Sequence, residues 1–334
     1  MLASLNPEIF PLRSTKFLEY LLITDRKQLK KLAESAGRYY RPFDRLEINE
    51  AGKNKWRHID NPTGKLKIIQ KKINKRILKE AMISLPNGMI GGVTGKSTKD
   101  NVKFHLKKEM VLTLDLKNCF PNINNQKIYR VWKEILGCGR VNARILTQLT
   151  TFQTRLPQGA STSLALCNLA LLPLFNDIQV FASAHNLNFT LYVDDIAISG
   201  KFPMVQSSIS PIINLIQKHG YAIGHKKIRI MPANVRQKIT GIIVNKKTAI
   251  EIQKIEEIRG QILNAARKKI ITKNDLDSIW GKIDYIKNIS PARGEKLSHF
   301  AAMLLPDSVE IYTKPVNYKI RKCTCTKRHK TKRP

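Results

Sequence analysis

The chain has 334 residues, 42% of them apolar, enough for a packed core and too many for wholesale disorder. Its 59 Lys and Arg stand against 25 Asp and Glu, a formal net charge of +34, so the expected partner is a polyanion, nucleic acid held through its phosphates. No stretch reaches the ~18 apolar residues of a membrane span, no lipid anchor or basic amphipathic helix appears, and Glu8 with two prolines excludes a signal peptide at the start.

In chain order, residues 15–36 are predicted as helix from Phe17, Leu21, Leu22, Leu29 and Leu32. Two strands, 41–48 and 55–59, are expected around a turn at 49–52. From 66 to 85 the apolar residues keep helical spacing, and the opposite face carries Lys67, Lys71, Lys72, Lys75, Arg76 and Lys79. A solvated face usually mixes signs, so this one is expected to meet phosphates. A Gly-rich loop spans 86–99. Alternation and β-branching make 110–116 a strand, followed by helices at 126–136, 141–152 and, apolar enough to be buried, 161–184. Strands at 189–193 and 196–199 flank two aspartates in the layout of a hairpin. After a helix near 204–219, a second hairpin is read at 239–244 and 248–252, and three helices follow at 253–268, 274–288 and 292–304. The last sixteen residues hold eight Lys or Arg and no acid, a tail expected to order only on nucleic acid.

Asp194-Asp195 carries the chemistry. Adjacent carboxylates between β-branched strands are electrostatically costly unless cations sit on them. Phosphoryl transfer to a nucleotide hydroxyl uses two Mg²⁺ ions about 4 Å apart, and Mg²⁺ takes few protein ligands, usually carboxylates. A third acid from a neighbouring strand would complete the set, and Asp115, ending the strand 110–116, is the candidate. The five cysteines (Cys119, Cys138, Cys167, Cys323, Cys325) form no regular disulfide framework and fit reduced thiols of a cytoplasmic protein.

Tyr192-Val193-Asp194-Asp195 matches the YxDD signature of reverse transcriptases. Leu156-Pro157-Gln158-Gly159 with Ser161, Ser163, Asn168 and Leu169 resembles their PQGxxS…NL segment, and Asp115 through Phe120-Pro121-Asn122-Ile123 their DxxxxFPSI motif. Asn101-Val102-Lys103-Phe104-His105 is similar to the NAxxH element of bacterial retron enzymes, and residues 239–245 to their VTGLxVN segment. Arg57, Ile59, Pro62 and residues 66–70 resemble the fingers pattern RxIxxP…LKxIQ. The resemblance covers residues 40–305.

It implies an α+β right-hand polymerase: fingers and N-terminal helices at 1–108, a palm with a small antiparallel sheet at 109–245 (with a fingers-side insertion near 124–155), a helical thumb at 246–314, and a basic tail at 315–334. Asp115, Asp194 and Asp195 would bind two Mg²⁺ ions. Phe120 would be the ring that rejects a ribose 2′-OH, or else a core phenylalanine. Gln158 and Gly159 would lie against the incoming dNTP, Arg57 would clamp its triphosphate, and Lys227, with Lys226 one residue away, would be a general acid near the leaving pyrophosphate. Asn101, His105, Lys67 and Lys71 would face RNA, although His105 is equally readable as a structural residue. Cys119, Lys117-Asn118 and Leu164 depart from the family pattern without removing a metal ligand.

Two motifs mislead. Residues 91–97 mimic a phosphate-binding GxxxxGKS loop, but position 90 is Ile. Cys323, Cys325 and His329 offer at most three ligands where a structural zinc takes four. The resemblance implies copying of a cognate structured non-coding RNA into a short attached DNA, primed from a 2′-OH, beside a separate effector protein in antiphage defence. The rivals are another bacterial reverse transcriptase, such as a group II intron maturase, and a non-catalytic RNA-binding scaffold.

Overall fold

The computed structural model describes residues 12–48, 54–224, 228–268 and 271–305. It is a mixed α+β fold that divides into two units. Among the described residues the first comprises those up to Leu85 with Asn118–Leu171, and the second Pro86–Lys117 with Leu172–Leu305.

In the first unit the expected single helix at 15–36 is two, Thr15–Leu22 and Arg26–Glu34. Ile23 takes a left-handed φ of 49°, and the Asp25 carboxylate caps the second helix by accepting from Lys27 and Gln28 amides. Strands β1 (Phe43–Ile48) and β2 (Asn54–Ile59) form the predicted hairpin, Asp44 opposite His58 and Leu46 opposite Trp56. Its turn lies outside the described residues. The helix read at 66–85 runs as Gly64–Ile73, a π-helical turn at Asn74–Leu78, then Lys79–Ile83. Leu66, Ile69, Ile73, Ile77 and Met82 are its buried stripe. Two of its basic residues do not face solvent phosphates. Lys72 donates to the Leu22 carbonyl and Arg76 to that of Leu21, closing the carbonyl end of helix Thr15–Leu22. Helices Asn125–Arg130 and Arg140–Thr150 stand where the apolar period places them.

The second unit is built on a four-stranded sheet ordered β4-β5-β3-β6, with β3 Met110–Asp115, β4 Asn188–Tyr192, β5 Asp195–Gly200 and β6 Arg229–Pro232. The pairings among these four strands are antiparallel. β6 is a strand that the sequence reading misses. Residues 88–90 cover the outer edge of β4, the Leu191 amide donating to Gly88 and the Ile90 amide to Leu191. Helix Phe202–Lys218 packs on β3 and β5.

The continuous strand read at 239–244 breaks into β7 (Lys238–Ile239) and β8 (Ile242–Ile243), because Thr240 and Gly241 both take positive φ and turn the chain. The second turn, at 245–247, survives as two hydrogen bonds between Ile243 and Ala249. Helices Ile252–Ala266, Lys273–Ile289 and Pro291–Leu304 follow as expected. Their buried Ile258, Ile262, Ile283, Ile286 and Leu297 share one core with Val111 of β3 and Ala197 of β5. Gly294 lets the last two helices close up: a Cβ there would stand 2.3 Å from Lys287 Cα.

Helix Ser163–Ala184 contributes to both units. It is long and apolar enough to cross a membrane, but 56% of its apolar window is buried within the protein, as in a core helix.

Candidate active site

Register brings the three aspartates together. Asp115 ends β3 directly opposite Asp195, the first residue of β5. Directly opposite residues in an antiparallel pair have Cβ atoms about 4.5–5.5 Å apart. Asp194 precedes Asp195 in the two-residue turn from β4 to β5, and its carbonyl accepts from the Leu116 amide at 3.0 Å. Across β3 the Asp115 carbonyl accepts from Gly224. Both strand ends carrying acid are thus fixed through backbone.

The turn itself is strained. Val193 has φ 59°, a conformation β-branched residues rarely adopt. Gly91 lies against it, and a Cβ at 91 would stand 2.5 Å from the Val193 nitrogen. Three carbonyls, of Pro86, Asn87 and Met89, accept from the Lys96 ammonium, so the lysine of the phosphate-loop mimic is a staple for the loop behind the aspartates. Burial pushes the Lys96 pKa down, against the pull of Asp100.

His105 and Asn101 are corrections to their expected RNA-facing role, for both are buried. His105 hydrogen-bonds the Ser199 hydroxyl at 2.7 Å and the Thr190 hydroxyl at 2.8 Å. Period-2 geometry puts Ser199 on the face of β5 that carries Asp195, so His105 ties β4 to β5 behind the acids. Burial, with the nearby Lys108 charge, pushes its pKa down to about 3, so the ring is neutral. Asn101 Nδ2 donates toward Thr240.

The remaining expected residues lie in the first unit. Arg57 on β2 faces Arg45 across the hairpin, and Glu47 sits between the two guanidiniums, pairing with Arg45 and, at 3.1 Å, with Arg57 Nε. The Arg45 hydrogen bond is the main cause that holds the Glu47 carboxyl below its usual range. Phe120 is half-buried in the short helix Cys119–Asn122. Lys67 and Lys71 are exposed. Lys226 and Lys227, like Cys323, Cys325 and His329, lie outside the described residues.

Sequence reasoning missed Asp60. It is 2% exposed, and its Oδ2 accepts from the Gln158 amide at 3.1 Å while its own amide donates to the Gln158 carbonyl. Its Oδ1 lies 3.4 Å from Arg155 Nη2 and 3.3 Å from His58 Nε2. These residues with Pro121 and Leu156 line a cleft of about 260 Å³. Gly159 has φ +114°, and a Cβ on it would come 2.8 Å from Ile59 Cγ2, so only glycine fits beside Asp60. The signal was available: an acid immediately after a strand, in a chain with few acids.

Among the described residues no group of three or more His, Cys, Asp or Glu side chains is placed closely enough to hold a metal ion. The donor chemistry of the hairpin nonetheless fits hard cations. Its three groups are carboxylates, Asp195 is exposed, and Asp115 and Asp194 are partly so.

The architecture is a mixed α+β fold with a small antiparallel sheet whose β3 and β5 ends carry acids. Residues 48–252 match the reverse transcriptase (RNA-dependent DNA polymerase) family, and the chain belongs to that family of divalent-metal-dependent enzymes. Its relatives include the Retron Ec86 reverse transcriptase of Escherichia coli, 27% identical over 250 residues, covering 74% of this chain and 76% of that one. The Retron Se72 reverse transcriptase of Salmonella heidelberg is 29% identical over 211 residues, 63% of this chain and 54% of its own length. The Retron Mx65 reverse transcriptase of Myxococcus xanthus is 27% identical over 263 residues, 72% of this chain and 60% of its own. In fold, the chain is similar to apo telomerase from Candida tropicalis, with TM-score 0.51, 10% identity and coverage of 83% of this chain and 59% of that one.

Proposed function

We propose that this chain is an RNA-directed DNA polymerase of the retron type, which copies part of a cognate structured non-coding RNA into a short RNA-linked DNA. The observation that carries the reading is the pairing of Asp115 with Asp195, with Asp194 in the adjoining turn. In this reading residues 1–108 are fingers, 109–245 palm, 246–314 thumb and 315–334 a basic tail. The three aspartates would hold two Mg²⁺ ions, which would supply activation of the attacking hydroxyl and charge neutralisation at the leaving pyrophosphate.

The protein's own groups do the rest. Strain in the Val193 turn and the Gly91 backbone behind it fix the direction in which Asp194 and Asp195 point. Phe120 closes the space beneath C2′ of the sugar, and Gln158-Gly159 seats the base and sugar of the dNTP. Arg57 exchanges Glu47 for triphosphate oxygens, its planar fork suiting them. Lys227 protonates the leaving pyrophosphate. Exposed Lys67 and Lys71 contact template phosphates, and the net charge of +34 supplies the general affinity for RNA and its hybrid. The relatives' names support the retron assignment, and from it follow a cytoplasmic location and a separate effector protein in antiphage defence.

The test is primer extension on an RNA template by the purified chain and its Asp194→Asn variant. Extension is abolished in the variant while RNA binding persists. Undiminished dNTP incorporation by the variant overturns the site. Sequencing the nucleic acid that co-purifies from the native host should reveal one structured RNA joined to a short DNA, and recovery of unrelated RNAs would overturn the retron reading.

A further inference from the structure

Asp60 has an environment that its surroundings in the sequence do not explain. A carboxylate removed from water costs several kcal/mol unless donors replace the lost hydration, and such groups in native proteins are paired. Asp60 is 2% exposed, and its donors come from three places in the first unit. The Gln158 amide reaches Oδ2, while Arg155 and His58 both reach Oδ1. His58 is held in turn from β1, with Nδ1 2.8 Å from Asp44 Oδ1. The ring thus bridges two carboxylates, one buried and one half-exposed. The Asp60 amide closes a reciprocal pair by donating to the Gln158 carbonyl. Both backbone polar groups of Gln158 therefore end on one residue. Behind Asp60 the chain is anchored again, because the Arg41 amide donates to the Asn61 carbonyl and the Thr63 amide to that of Tyr39.

We infer that Asp60, with His58 and Asp44 as its outer support, is the positioning residue that fixes the Gln158-Gly159 turn at the height the incoming nucleotide requires. The inference rests on the reading that Gln158 and Gly159 lie against the dNTP. It adds that their placement is set by charge-assisted hydrogen bonds from the β1–β2 hairpin, not by their own local conformation. Gly159, at φ +114° with Ile59 and Asp60 packed where a Cβ would be, has no side chain with which to hold itself. The Leu156 amide anchors the start of the turn to the Ile123 carbonyl, and Asp60 is what holds Gln158 itself.

An uncharged isostere should break this arrangement. In Asp60→Asn one oxygen becomes an NH₂, which must face either the Gln158 amide or the Arg155 guanidinium, and donor faces donor in both cases. The loop then loses its fixed height, and effects of this kind fall on nucleotide binding. Because the described hydrogen bonds of Asp60 all lie within the first unit, away from the strands that carry the three aspartates, RNA affinity should stay unchanged.

The experiment measures single-nucleotide incorporation against dNTP concentration for the full chain, with Asp60→Asn, His58→Ala and Gln158→Ala beside it. Expected for Asp60→Asn is a KM for dNTP raised roughly tenfold with kcat within about threefold, and for His58→Ala a smaller rise of about two- to threefold. His58 is 41% exposed in its side chain, so its variant folds even if Asp60→Asn does not. Asp44→Asn keeps one acceptor for the ring and should rescue most of what Asp44→Ala loses. If Gln158→Ala raises KM while the Asp60 and His58 variants leave it unchanged, the positioning role is overturned. If Gln158→Ala itself leaves KM unchanged, the reading of the turn as nucleotide contact is what fails. A fall in melting temperature with KM and kcat unaltered would make Asp60 structural only and would also overturn the inference.

Discussion

Two carboxylate centres of this chain are built in opposite ways. At the tip of β4–β5, Asp194 and Asp195 are neighbours in sequence, their partner Asp115 is brought in by register, and Asp195 stays exposed. At the end of β2, Asp60 is alone in sequence, buried, and held by donors from Arg155 and Gln158, 95 and 98 positions away, with His58 beside it. An exposed set of acids held by backbone can accept external cations. A buried acid already saturated by Gln158, Arg155 and His58 cannot, and serves geometry instead. In the proposed reading the first centre carries the chemistry and the second the placement.

That division can be broken at several points. Apart from replacing the aspartates themselves, Gly91→Ala should have the largest effect, since its Cβ would meet the Val193 nitrogen at 2.5 Å and push the aspartate turn out of line. Displacement of about 1 Å costs roughly 10²-fold in turnover, measurable as extension rate at saturating dNTP. His105→Gln should leave the acids chemically untouched but cost about 1–3 kcal/mol of stability by denaturant melts, because Ser199 and Thr190 lose a buried partner.

The same residue gives a pH test. The folded pKa of His105 lies at about 3, below the ordinary 6.5, so the native state binds fewer protons between those values. Stability from this group is intact above pH ~6.5 and falls by about 1.4 kcal/mol per unit as pH drops toward 3. The difference in stability between the native protein and His105→Gln should therefore shrink on acidification from pH 7 to 5. A constant difference would mean the ring is not held neutral.

Phe120→Ala sharpens the placement side: ribonucleotide incorporation relative to deoxyribonucleotide should rise roughly tenfold in kcat/KM. An unchanged ratio would make Phe120 a core ring. Smallest is removal of residues 319–334, which hold eight basic side chains. If the tail neutralises ~3 phosphates, its removal should flatten the log–log salt slope of RNA binding by about 2–3, with turnover on a preformed primer-template unaltered.

The sheet was legible because its signals are local. Alternation marks 110–116, and paired acids between β-branched runs mark the β4–β5 hairpin. The three terminal helices were legible from apolar period alone. What escaped depends on distant partners or on backbone φ. β6 is four residues with two exposed, too short for a periodic signal. The break at Thr240-Gly241 rests on two positive φ values within an otherwise strand-like run. The helix at 15–36 splits where Asp25 caps, a cue present in Thr24-Asp25 but outweighed by the apolar period across it. Lys72 and Arg76 read as phosphate ligands by composition, yet they close a helix some fifty residues earlier. Of the site, the motif order was readable, while the burial of Asn101 and His105 and the node at Asp60 required the fold.

The most direct measurement compares dNTP saturation curves of Asp115→Asn and Gln158→Ala on one RNA template, with RNA affinity recorded for each. Asp115→Asn should lose roughly 10³-fold or more in kcat, equivalent to about 4 kcal/mol, with RNA affinity retained. Gln158→Ala should keep most of its kcat and lose affinity for dNTP. The contrary result is an Asp115→Asn enzyme that regains full turnover at high dNTP, which would place the chemistry elsewhere than the β3–β5 strand ends.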